Sequence, residues 1–339
     1  MSELLELKER LRHFYGKYEV YLLPVIKFIL ALTTFMLISN NIGYMTRIST
    51  ISVDLVLALL CAILPVNAIV VFSVALILAN LYALSLEVCA VALLLFLLIG
   101  LLYFRFSPKD GYFSILTPVC FTLHIPYVMP ISAGLLKNPV SMISVASGTV
   151  VYYFLKGIKE NEVLLSAVDE ESAKATSKFI VALNQLLDNK EMYLVLAAFV
   201  LMVMLVYVIR RMSVDHAWVI AVTTGVLVEF FVLFAGYLIL GITGRTMWLI
   251  IGNVISLAVG MVLQFLFFNL DYTRTERVQF EDDEYYYYVK AVPKLYVATK
   301  EKQVKSFSGK GKTAQKGREG ISKRDLAEEM DIDEDLLDL

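Results

Sequence analysis

The chain has 339 residues, of which 58% are hydrophobic and 18% charged, with a formal net charge of -2 and a mean hydropathy of +0.70. Soluble domains are nearer half apolar and a quarter charged, so this composition excludes an ordinary globular protein. The 3 cysteines, Cys61, Cys89 and Cys120, all lie in apolar runs and read as small hydrophobes rather than as a disulfide framework.

Residues 1–19 predict an amphipathic helix on the cytoplasmic side. Leu4, Leu5, Leu7, Leu11 and Phe14 form one apolar stripe, and Lys8, Arg10, Arg12 and Lys17 surround it. Such a helix suits an anionic membrane surface, and packing on a helical bundle fits the same pattern. No A-x-A-like site follows the first apolar run, so the first span is expected to act as its own insertion signal.

Residues 20–270 read as a polytopic membrane domain. Crossing about 30 Å of hydrocarbon takes about 20 helical residues, and long unalternating runs specify helices rather than a barrel. The expected spans are about 20–38, 51–64, 67–84, 86–104, 140–157, 192–209, 217–240 and 247–270. Lys27 is close enough to the start of the first to reach the headgroups. The stretch 51–84 is too long for one crossing and breaks at Pro65, because proline disfavours helix in the residue before it. A single kinked helix is the competing reading. Residues 112–136 carry Pro118, Pro126 and Pro130 around His124, so no uninterrupted span fits. Small residues from Ser141 to Gly148 allow close helix approach in the next span. Residues 158–191 predict an extracellular amphipathic insert.

Lys and Arg concentrate in cytoplasmic loops. The basic segments here are the N-terminal helix, loop 105–110, Arg210-Arg211 and the tail. With 51–84 crossing twice, counting crossings from either end places both termini inside only if 112–136 does not cross; if 51–84 crosses once, 112–136 must cross. The fold class is therefore an all-α integral membrane protein with about eight spans, one re-entrant hairpin at 112–136, and a largely disordered cytoplasmic tail at 271–339.

The tail opens with Tyr285 to Tyr288 in a strand-prone run. Residues 300–324 read as a flexible basic linker drawn to anionic lipid. Ser322 to Leu339 is acidic, with Leu326, Met330, Ile332 and Leu336 placed to dock on a protein partner. The bilayer itself and a second copy of the chain complete the expected partners, and nucleic acid is not among them.

No phosphate-binding glycine loop, zinc-protease motif, paired C-x-x-C or G-x-S-x-G element occurs, and the 3 histidines are scattered. Neither an enzyme, a cofactor nor a metal site is expected. Chemistry is left to polar residues at membrane depth, where ionisable groups are costly. Glu229 stands in mid-span between apolar neighbours, as a proton or cation site or as a carboxyl kept protonated by burial. His124 at the hairpin tip, Asn67 and Asn253 join it as candidate pathway residues, and the two asparagines equally suit interhelical hydrogen bonds.

The run Phe280-Glu-Asp-Asp-Glu-Tyr-Tyr-Tyr-Tyr-Val-Lys-Ala-Val-Pro-Lys294, following a multi-span body, resembles multi-pass membrane proteins of anaerobic Gram-positive bacteria. That family carries no assigned activity, so the resemblance implies a bacterial plasma membrane and no chemistry. The leading functional expectation is a transporter-like or channel-like protein for a small solute or ion. The alternative is a membrane scaffold that recruits a cell-envelope partner through its tail.

Overall fold

The structure, a computed structural model, describes residues 2–166, 172–242, 244–268 and 276–292, with side chains from residue 6 onward except at 172–177 and Lys290. All belong to the unit Met1–Val297. The basic linker and the docking residues Leu326, Met330, Ile332 and Leu336 lie outside the described residues.

Helix α1 (Ser2–Ile42) joins the expected surface helix to the first span, with a non-helical residue at Tyr18 (φ -112, ψ 16) marking the joint. The side chains of Arg10, Arg12 and Lys17 are exposed, and Arg10 pairs with Glu6 at 3.6 Å. The helix runs past the expected end of the first span near residue 38, through Asn40 and Asn41.

Helices α2 (Ile51–Ile63) and α3 (Val66–Leu84) divide at Pro65, and Leu64 before it is extended (φ -72, ψ 163), as the proline ring requires. They fold back on one another. Asp54, near the start of α2, accepts the Ser39 hydroxyl at 2.9 Å, while Lys27 donates to the Leu64 carbonyl at 3.1 Å. Asn80 Oδ1, near the end of α3, accepts from Met45 N at 3.0 Å and Ser49 Oγ at 2.8 Å. Helix α4 (Leu86–Phe106) follows after Ser85, and its Tyr103 hydroxyl donates to Asn67 Oδ1 at 2.8 Å.

Residues 111–136 form a pair of short helices, α5 (Gly111–Thr122) and α6 (Val128–Leu136), joined through His124 in the left-handed region (φ 62). The two outer ends meet: Lys137 Nζ lies 3.2 Å from Asp110 Oδ1. The segment therefore leaves and returns at one end of the molecule. A 3-10 turn (Pro139–Ser141) then leads into α7 (Met142–Glu160), which runs alongside α5. Ser107 and Ser144 hydroxyls lie 2.9 Å apart, and those of Ser114 and Ser147 3.2 Å apart. Pro118 removes the donor that Ser114 O would have met in a regular helix. Gly148 backs directly onto that carbonyl, and a Cβ there would fall 2.9 Å from it.

Helices α8 (Glu162–Ser166) and α9 (Ser172–Leu187) fill the insert, with Leu165 and Ala182 packed on the first core cluster. Helices α10 (Lys190–Arg210), α11 (Ala217–Leu240) and α12 (Thr246–Phe267) complete the body. Among the described residues, six helices are long and apolar enough to cross a membrane: those ending at Ile42, Leu84, Phe106, Arg210, Leu240 and Phe267. Helix α2, at 13 residues, is too short for that class.

These contacts define two ends. The proximal end carries Leu64, Asn67, Tyr103, Asp110, Lys137 and Arg210. Here Arg210 donates to the carbonyls of Lys137 at 2.6 Å and of Leu135. The distal end carries Asn41, Asn80, Lys159, Glu191 and Arg245, tied by Lys159 to Asn41 Oδ1 at 3.1 Å and by an ion pair between Arg245 and Glu191.

Strands β1 (Glu276–Glu281) and β2 (Tyr286–Ala291) form an antiparallel hairpin with Phe280 opposite Tyr287, their rings stacked at 4.9 Å. Asp282 closes the turn. It accepts the backbone amides of Glu284 (3.0 Å) and Tyr285 (2.7 Å) and the Tyr287 hydroxyl (2.8 Å), which hold its carboxyl below the usual range.

Candidate functional site: a buried carboxyl beneath a column of tyrosines

Among the described residues, two carboxyl groups are almost fully buried within helices, and they differ in their surroundings. Asp54 is 1% exposed but takes the Ser39 hydroxyl. Glu229 is also 1% exposed, and neither of its oxygens has a partner. An unmatched buried polar atom costs about 1–3 kcal/mol, and more when charged. Glu229 is therefore the most expensive side chain in the described body, and it faces protein rather than lipid.

Its surroundings follow from helix pairing. Helices α11 and α12 are antiparallel, and Val222 packs against Gly260, where a Cβ would fall 2.7 Å from Cγ1. Two helical turns from that contact, Glu229 on one helix and Asn253 on the other reach matching depth. Asn253 is 4% exposed, its amide donates to Leu249 O at 2.9 Å, and its Oδ1 is unpartnered. Two orphaned polar groups thus sit at one level of the core.

Above them stands the turn between α5 and α6. Tyr127 rests its ring on Gly252 and gives its carbonyl to the Ser256 hydroxyl at 2.8 Å. Its hydroxyl neighbours that of Tyr237, two turns beyond Glu229 on α11, and both lie within electrostatic reach of the Glu229 carboxyl. Helical side chains lean toward the helix N-terminus, so the Tyr237 phenol points back down toward Glu229. Nearer the distal end, the Tyr153 hydroxyl donates to Glu191 Oε1 at 3.0 Å, and Arg245 closes on the same carboxylate.

Of the four pathway residues expected from sequence, Glu229 and Asn253 come together. Asn67 does not join them: it caps the proximal contact with Tyr103. His124 does sit at the turn of the helix pair, but it is exposed and its ring packs on Trp248 at 4.5 Å. A cavity of about 420 Å³ between α1, α3, α4, α5 and α7 reaches His124 but not Glu229, and its walls are largely apolar. Two separate features therefore stand in place of one pathway joining His124 to Glu229. The second is a polar cavity of about 290 Å³ at the distal end, walled by Tyr153, Lys156, Glu160, Gln185, Asp188 and Glu191.

Tyr127, Tyr153, Tyr237, Glu191 and Arg245 were not among the expected site residues. Tyrosine in an apolar run reads equally as an interfacial anchor, and the pairing of Glu191 with Arg245 depends on which helix ends meet. Among the described residues, no group of three or more His, Cys, Asp or Glu side chains could hold a metal ion. No known protein family, curated protein or solved structure matches the chain.

Proposed function

We propose that this chain is an ion-coupled, transporter-like protein of a bacterial plasma membrane, with its ion site at the Glu229 carboxyl. The observation that carries the reading is that carboxyl: 1% exposed, unpartnered on both oxygens, and enclosed by α11, α12 and the α5–α6 turn. A charged group at bilayer depth costs about 2.5–3.5 kcal/mol even on the insertion scale. A leucine would fold there without that cost.

The body is read as eight spans, α1 to α4, α7 and α10 to α12, with α5 and α6 as a re-entrant pair opening to the cytoplasm. The ion pair between Asp110 and Lys137 supports the re-entrant assignment, because it brings both ends of the segment to one face. Interrupted helices that return to their own side are a recurrent element of transporter sites. The proximal face, with Arg105, Lys109, Lys137, Arg210 and Arg211, is assigned to the cytoplasm by the excess of basic residues.

The test needs no transported solute. Purified protein in liposomes is adsorbed on a solid-supported membrane and exposed to jumps in pH, sodium and potassium. Binding of one of these ions at Glu229 gives a transient charge displacement, which Glu229→Gln abolishes. An undiminished current in Glu229→Gln, or no current for any of the three ions, would overturn the reading.

A further inference from the structure

The two sides of Glu229 are built differently. Toward the proximal end, an apolar cluster of Ile131, Leu135, Met202, Val206, Val222 and Val226 fills the space. Helix backbones close in upon it. A Cβ on Gly225 would fall 2.6 Å from Met202 Cε, one on Gly134 2.8 Å from Val206 Cβ, and one on Gly260 2.7 Å from Val222 Cγ1. A seam this tight and this apolar leaves no room or partner for water.

Toward the distal end the sequence of groups is polar. The cavity of about 290 Å³ has Glu191 and Tyr153 in its wall. Tyr153 donates to Glu191 and Arg245 neutralises that carboxylate. Tyr237 and Tyr127 neighbour one another further in, within electrostatic reach of Glu229 but not bonded to its oxygens. The titratable groups within electrostatic reach of Glu229 are Tyr237 on its own helix and Tyr127 at the α5–α6 turn; Tyr152 and Tyr153 on α7, Glu191 on α10 and Arg245 before α12 lie further out, around Tyr237. Helices α6 and α12 contribute no titratable side chain. Hydroxyls both donate and accept, whereas the one other carboxylate on this line, Glu191, is already paired with Arg245 and leaves a metal cation only neutral hydroxyls on the way in.

We propose that the ion at Glu229 is a proton, and that it arrives only from the distal face, through Glu191, Tyr153, Tyr237 and Tyr127, while the glycine-packed seam closes the proximal side. This rests on the assignment of Glu229 as the ion site and adds the ion's identity and route. Each hydroxyl passes one proton inward as it accepts another. For the last transfer a tyrosine hydroxyl closes on the unpartnered Glu229 carboxylate and its proton forms an O–H bond there; release along the same line breaks that bond.

The test uses the full chain in sealed right-side-out and inside-out vesicles. Dicyclohexylcarbodiimide crosses bilayers and captures protonated carboxylic acids: the acid oxygen adds to the central carbon, its proton passes to nitrogen, and nothing leaves. The adduct is located on Glu229 by peptide mass spectrometry, with Glu229→Gln as the blank. An impermeant thiol reagent on Gly244→Cys, a position with open space around it, identifies the distal face. Raising the pH of the distal face alone is expected to suppress labelling, and raising that of the proximal face alone to leave it unchanged. Labelling that follows the proximal face would overturn the route while leaving the ion site standing. Labelling indifferent to pH on both faces would remove the proton and leave the site to the current measurements. Tyr237→Phe keeps the ring and should slow the pH-jump current by about a hundredfold, the lower range for one positioned proton-transfer group. An unslowed current would take Tyr237 out of the route.

Discussion

Arg210 shows how much one side chain does at the proximal end. Its guanidinium reaches the last carbonyls of α6 and lies over the Trp218 ring, 5.7 Å from the centroid. A helix end leaves four carbonyls without intrahelical partners, and a planar fork can serve two at once. Arg210→Ala is expected to cost about 1.5–3 kcal/mol, the range for hydrogen bonds to a charged group. Arg210→Lys should recover little of it, since an ammonium is a point donor. Thermal unfolding of the detergent-solubilised protein checks both; full recovery by lysine would contradict the fork. Glu229 was legible at this scale because a lone carboxylate between phenylalanines and valines contradicts its surroundings. Lys27 was only half legible. Its snorkelling was expected, but its use as a cap on the Leu64 carbonyl needed the position of α2.

At the scale of elements, the proline breaks were the best sequence signal. Pro65 separates α2 from α3, and Pro126 lies in the turn between α5 and α6. At these two places local rules suffice, whereas Pro24 and Pro118 lie within α1 and α5 and interrupt neither helix. Depth and neighbourhood are different, because they depend on which helices touch. For that reason Asn67 and His124 were grouped with Glu229 although they belong to other contacts. The close packing of α5 on α7 gives a paired prediction. Gly148→Ala places a methyl 2.7 Å from Thr117 Cβ and 2.9 Å from Ser114 O, whereas Gly100 has nothing within 4 Å. The first should destabilise by about 1–3 kcal/mol through overpacking. Gly100→Ala should be neutral or stabilise by about 0.5–1 kcal/mol through helix propensity. Equal effects in thermal unfolding would show that the seam yields.

For the whole molecule, one consequence follows from the length of α2. Its 13 residues rise about 20 Å, against about 30 Å of hydrocarbon. The helix stops at Leu64, level with Lys27, although α1 continues nine residues further to its joint at Tyr18. If α2 crosses, as proposed, lipid beside it meets a polar surface part-way into the leaflet and adapts by thinning. Hydrophobic mismatch costs a fraction of a kcal/mol per ångström, so stability becomes a function of acyl-chain length. Thermal unfolding in liposomes of graded chain length should show a maximum in bilayers thinner than the average plasma membrane. A maximum in thicker bilayers would mean that α2 is shielded from lipid. On this view the bilayer is not a passive solvent for this protein: it bends toward a helix that falls short, and the membrane's own thickness helps set how firmly the protein is held.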